Sequence, residues 1–106
     1  MSEYIAVATV AEIDDGSTRL IEVDDRLVIL SRIGDDYYCI DDICTHDGGT
    51  LSDGPHEGCE IACPRHGAKF DLRNGKALSM PATQDTTAHH VKVEDGSIMI
   101  QLNDES

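Results

Sequence analysis

Apolar and polar positions alternate in short runs along this chain, and the runs are separated by turn residues. Ile98, Ile100 and Leu102 alternate with Met99 and Gln101. That period of two predicts a half-buried strand. The same reading predicts strands over Tyr4–Val10, Thr18–Val23, Arg26–Ile33, Tyr37–Ile40, Lys69–Leu72, Lys76–Leu78, Val91–Glu94 and Ser97–Leu102. Asp24-Asp25 and Gly34-Asp35-Asp36 turn the chain between them. Asn74-Gly75 and Asp95-Gly96 each carry the dipeptide of a tight hairpin. No segment holds apolar residues at helical spacing for three turns, and only Ala11–Asp14 predicts a single short helical turn. The expected fold is all-β, a sandwich or barrel of short antiparallel strands.

One segment breaks the pattern. Asp41–Leu72 is rich in Gly, Asp, His and Cys, and it reads as loops projecting from the β scaffold. With 106 residues the chain is expected to form a single domain, 1–106, with these loops inserted at 41–72. Aromatics are scarce, with one Phe, three Tyr and no Trp. A metal joining two loops would help so small a core.

The formal charge is −13, from 21 acidic and 8 basic residues. Nucleic acid is disfavoured as a partner, because its phosphates are met by Lys and Arg. An anionic membrane surface is disfavoured for the same reason. Such a charge suits docking to a basic patch on another protein, and equally suits a merely well-solvated surface. It also favours a monomer. The start, MSEYIAVATV, lacks a basic stretch followed by a long apolar run. A cytoplasmic location is the expectation, and there four cysteines read as ligands or buried thiols before disulfides.

The candidate chemistry lies in two short stretches. ICTHDGG places Cys44 and His46 two positions apart, followed by Gly48 and Gly49. CPRHGAKFD places Cys63 and His66 three apart, followed by Gly67. Two donors at i and i+2 fall on one side of an extended chain and can aim at one centre. Pro64 stiffens the second loop, and Gly67 frees it again. Three kinds of site use such donors. Structural zinc accepts two Cys and two His. Copper takes a different set, usually two His and one Cys. A [2Fe–2S] cluster can take two thiolates on one iron and two imidazoles on the other. Each loop here mixes Cys with His. If each loop sends one ligand to each of two irons, the mixing has a reason; around a single metal it has none.

C-T-H, then sixteen residues, then C-P-x-H-G resembles the Rieske [2Fe–2S] signature. LSDG (Leu51–Gly54), CEIACPRHGAKFDLRNGKAL (Cys59–Leu78), MPAT (Met80–Thr83) and VKVEDGSIMI (Val91–Ile100) extend the resemblance over nearly the whole chain. The chain is similar to the small ferredoxin components of ring-hydroxylating dioxygenase systems, and no appended oxygenase domain is expected. The resemblance implies one cluster, with Cys44 and Cys63 on the inner iron and His46 and His66 on the outer iron, near the surface. It implies a Rieske-type β-sandwich or barrel. It also implies a one-electron carrier, not an enzyme, passing electrons from a flavin-dependent reductase to a terminal oxygenase. A small electron-transfer subunit of a nitrite-reductase-like complex and a zinc-stapled interaction module are the alternatives.

Departures from the family pattern bear on the potential. Respiratory Rieske proteins carry an extra cysteine in each loop; here Arg65 stands at that position of the second loop, and no cysteine closely follows His46. Hydroxyl donors of those proteins are replaced by Ala68 and Phe70. Fewer donors to an anionic cluster destabilise its reduced form. One carboxylate about 10 Å from the iron, at an effective dielectric of about 20, contributes roughly 1.7 kcal/mol, or about 70 mV for one electron before screening. Asp41, Asp42 and Asp47 flank the first loop. The expectation is the low end of the Rieske range.

The other candidates have plainer readings. Cys39 reads as a buried thiol, and a Cys39–Cys59 disulfide is disfavoured. His56 reads as a surface turn residue. His89 and His90 are adjacent, so in a strand they face opposite ways, and neither is assigned to the metal. The tyrosines and Phe70 read as core or cluster cover, and Arg65 as an exposed residue near the outer iron.

Overall fold

The structure is a computed structural model that describes residues 3–43, 50–52, 54–64, 67–80 and 84–103. Strand β1 (Ile5–Thr9) runs into a 3-10 turn (Val10–Glu12). There follow β2 (Thr18–Val23), β3 (Arg26–Ile33), β4 (Asp36–Asp41), β5 (His56–Glu57), β6 (Glu60–Ala62), β7 (Lys69–Asp71), β8 (Ala88–Glu94) and β9 (Ser97–Gln101). Six of them form an antiparallel sheet in the order β1-β9-β8-β4-β3-β2. The edge strands β1 and β2 line opposite sides of one groove, bounded by Ile5, Val7, Ile21 and Val23, so the sheet curls into a nearly closed barrel. The all-β expectation holds.

Tight turns set the register. Asp24 and Asp25 both take left-handed backbone, φ 50° and 65°, between the paired residues Val23 and Arg26. Asp95 and Gly96 do the same between Glu94 and Ser97. Two left-handed residues match the natural twist of a hairpin, and Asp tolerates that region better than most side chains. Thr9 accepts the role of cap for the 3-10 turn, its hydroxyl and N–H both donating to Glu12 Oε1.

Strand β3 explains the architecture. Val28, Ile29, Leu30 and Ser31 are all buried, an unbroken run in place of simple alternation. A strand buried on both faces reads that way. Val28 and Leu30, with Cys39 of β4, face the barrel interior and pack with Ile13, Val23, Ile98 and Ile100. Ile29 and Ile40 point out of the other face and pack with Leu51, Ile61, Cys63, Ala68, Phe70 and Leu72. The wall formed by β3 and β4 therefore serves two cores.

The second core corrects part of the sequence reading of 41–72 as loops. A separate three-stranded sheet, β5-β6-β7, is built there. Strand β7 falls on the expected Lys69–Leu72 run, whereas β5 and β6, two and three residues long, are too short to show a period. The expected Lys76–Leu78 strand is also reduced. Only Ala77 bridges Phe70, because Lys76 and Leu78 bond once each to Asp71 and Lys69 and the chain then turns away.

Candidate metal centre

Cys63 follows β6 directly and is 2% exposed. Its N–H donates to Ala68 O at 2.7 Å, and its carbonyl accepts the Gly67 N–H at 2.9 Å. These two bonds close the second loop on itself, and the positive φ of Gly67, 76°, permits the turn. Ala68 and Phe70 beside it are fully buried, so the two positions that lack hydroxyls lie in the same core as the cysteine. Phe70 is core, as read from the sequence.

Close backbone approach braces this loop from below. Gly54 lies so near β6 that a Cβ there would collide with the Ala62 carbonyl oxygen and press on Pro64. The Gly54 N–H donates back to Leu51 O at 2.9 Å. The segment that follows the first loop thus rests directly on the strand that delivers Cys63.

The first loop leaves β4 between two carboxylates with different tasks. Asp41 accepts a bidentate pair from Arg26, Nε to Oδ1 and Nη2 to Oδ2, both at 2.9 Å. His89 Nε2 lies 2.7 Å from Asp41 Oδ1. The Asn103 N–H donates to His89 Nδ1 at 2.9 Å, so that nitrogen carries no proton and Nε2–H is the donor to Asp41. Burial pushes the Asp41 carboxyl up, yet the bonds from His89 and Arg26 outweigh it and hold the group below the usual carboxylate range. Arg26 offsets the charge of Asp41 at this exit. Asp42 instead turns inward, 7% exposed. It accepts the N–H groups of Leu51 and Ser52, each at 2.7 Å, and the Ser52 hydroxyl at 3.0 Å.

Of the four ligand positions read from the sequence, Cys63 is described; Cys44, His46 and His66 lie outside the described residues, as do Asp47 and Arg65. Cys39 is a buried free thiol in the barrel core, on the opposite face of the β3–β4 wall from Cys63. Burial first, and the Asp41 charge second, push its thiol up to about 12. Among the described residues no group of three or more His, Cys, Asp and Glu converges as a metal site, so Cys39, Cys59 and Cys63 do not form one together. His89 is buried and His90 exposed, the opposite facing that adjacency predicts. His56 is exposed, but it sits in β5 and not in a turn, with Nε2 2.9 Å from Gly16 O. What sequence reasoning missed is the pair Asp42 and His89; alternation showed that one of His89 and His90 points inward, and nothing in the sequence marked the partners.

A buried, unpaired thiol at the rim of a packed core, on a loop closed by its own backbone, fits a metal–thiolate bond. So does the donor set of the two loops. Residues 3–97 match the Rieske [2Fe-2S] domain family, and the chain belongs to that family. It carries one Rieske-type [2Fe–2S] cluster. Within the family it stands with the ferredoxin components of dioxygenase systems, which carry electrons and are not themselves catalysts. It is 35% identical over 101 residues to the ferredoxin component of the naphthalene 1,2-dioxygenase system of Pseudomonas putida, covering 95% of this chain and 97% of that protein. It also superposes on the ferredoxin of carbazole 1,9a-dioxygenase from Nocardioides aromaticivorans IC177, with TM-score 0.87, 30% identity and coverage of 92% and 95%. A further likeness, TM-score 0.85, 29% identity and 92% coverage of each chain, is to a structure of reduced oxygenase in complex with oxidized ferredoxin in carbazole 1,9a-dioxygenase.

Proposed function

We propose that Cys44, His46, Cys63 and His66 hold the cluster, the two thiolates on one iron and the two imidazoles on the other, and that the chain delivers single electrons from a flavin-dependent reductase to a terminal oxygenase. The cluster supplies the redox centre, which accepts and releases one electron. The protein supplies a fixed frame. Cys63 is set by the closed turn after β6, and the first loop leaves β4 beside the Asp41–Arg26–His89 group. A frame that moves little between oxidation states keeps electron transfer fast.

The observation that carries this reading is the extent of the match. Ferredoxin components are covered over almost their whole length, 97% for the naphthalene system's component. The domain reading, one Rieske domain over 1–106 with the cluster loops within 41–72, belongs to the same proposal. So do a monomeric state and a cytoplasmic location; among the described residues no helix is long and apolar enough to cross a membrane. The midpoint potential is placed at the low end of the Rieske range, since buried Ala68 and Phe70 bring no side-chain donor.

Substitution tests the ligand set. Cys44→Ser, His46→Ala, Cys63→Ser and His66→Ala are each expected to abolish the Rieske signal in electron paramagnetic resonance, while Cys39→Ser and Cys59→Ser keep it. A ligand variant that retained the full signal would overturn the assignment. Stopped-flow oxidation of the reduced protein by a dioxygenase's terminal oxygenase is expected to consume one electron per chain. No transfer to any oxygenase, with transfer to a nitrite reductase, would favour the other carrier role.

A further inference from the structure

The two cluster loops are closed by different means. The second closes through its own backbone, by the Cys63 N–H to Ala68 O and Gly67 N–H to Cys63 O bonds. The neck of the first lies between Asp42 and Leu51, on either side of residues 44–49. Among the described residues, the side-chain bonds across that neck run to one carboxylate. Asp42 Oδ1 takes the Leu51 and Ser52 N–H groups together, and Oδ2 takes the Ser52 hydroxyl. Both ends of the clamp are anchored. The Asp42 N–H donates to Leu27 O at 3.0 Å, which ties it to the start of β3. Leu51 is fully buried in the core that holds Cys63, Phe70 and Ile61. A buried N–H group without an acceptor is costly. The carboxylate therefore holds the neck shut by satisfying the buried Leu51 N–H and the part-buried Ser52 N–H at once.

We infer that Asp42 is a positioning residue of the cluster site: its carboxylate closes the neck of the first loop and so sets how firmly Cys44 and His46 keep their metal. The inference rests on the ligand reading given above. It concerns hydrogen-bond geometry, not charge. An asparagine at the same place keeps Oδ1 as acceptor for both N–H groups and can donate to the Ser52 hydroxyl oxygen from its amide. A glutamate keeps the charge and displaces the acceptors by one methylene.

The experiment follows iron release from the holoprotein to a chelator, with the electron paramagnetic resonance spectrum of the reduced protein recorded on the same samples. Asp42→Asn is expected to release iron within about threefold of the wild-type rate and to keep the wild-type g values. Asp42→Glu and Asp42→Ala are expected to release it at least about tenfold faster, with shifted or broadened features. Asp15→Ala serves as the control. It removes a single exposed carboxylate acceptor outside the neck, Asp15 Oδ1 to the Gly34 N–H at 2.7 Å, and is expected to leave release unchanged. If Asp42→Ala does not accumulate, the Asn and Glu variants decide alone. Asp42→Glu as slow as wild type, or Asp42→Asn as fast as Asp42→Glu, would overturn the inference. A wild-type protein without iron would instead refute the proposed function, so the two failures are distinguishable.

Discussion

Arg26→Met isolates the ion pair at the exit of β4. The substitution keeps most of the apolar stem and removes two charge-assisted bonds to Asp41, both at 2.9 Å. Hydrogen bonds to charged groups contribute roughly 1.5–3 kcal/mol each when buried. The Arg26 side chain is 32% exposed and that of Asp41 14%, so water recovers part of the loss. The His89 bond at 2.7 Å remains. A net cost of about 2 kcal/mol follows. Native-state amide exchange at Asp41 and Asp42 reads it directly, because their N–H groups bond to Thr87 O and Leu27 O beside the pair. At about 1.4 kcal/mol per tenfold, exchange there accelerates about thirtyfold. Asp41→Asn combined with Arg26→Met is expected to cost less than the two changes summed, since no carboxylate is then left partly buried without its cation. The pH dependence has a definite sign. Asp41 has a folded pKa below its unfolded value, so its contribution is complete above the unfolded pKa and disappears as pH falls through the folded one. Arg26→Met should flatten that acid limb. Acceleration below about threefold, or strict additivity of the double variant, would refute the reasoning.

Other outcomes follow from the same structure. Cys39, buried and with its thiol pushed up to about 12, should resist alkylation in the native protein at pH 8, whereas half-buried Cys59 reacts; mass spectrometry of labelled peptides decides, and rapid labelling of Cys39 would contradict its placement in the barrel core. Gly54→Ala forces a methyl group against the Ala62 carbonyl oxygen and should cost roughly 1–3 kcal/mol and lower the iron content, measured by urea unfolding and metal analysis; a neutral effect would mean the loop and β6 are not in contact. With a net charge of −13, the rate of electron delivery to a partner carrying a basic patch should fall steeply as salt is raised, and a salt-independent stopped-flow rate would remove charge steering from the account.

The long hairpins were legible because their strands are long enough to show a period and their turns carry Asp, Asn or Gly. Thr18–Val23 and Arg26–Ile33 appear with the bounds the pattern predicts. The β5–β6 hairpin was not legible. His56–Glu57 and Glu60–Ala62 are too short for alternation, and only the core behind Ile61 and Phe70 makes them strands. Strand β8 begins at Ala88, three residues ahead of the expected Val91, because Ala88 and His89 pair with Ile40 and Cys39. That pairing is long-range and leaves no local mark. At the site, residue types and spacing marked four candidate donors, since metal chemistry restricts which side chains serve. The supports were hidden. Asp42 sits in a run of acidic residues and looks like solvated charge, and its neighbour Asp41 meets His89 across 48 positions.

The most direct test is electron paramagnetic resonance of the anaerobically purified, dithionite-reduced protein, with iron, sulfide and zinc counted on the same sample. The account predicts two irons and two sulfides per chain, and a rhombic signal whose average g lies below that of all-cysteine ferredoxins. A colourless, silent protein holding one zinc would contradict it.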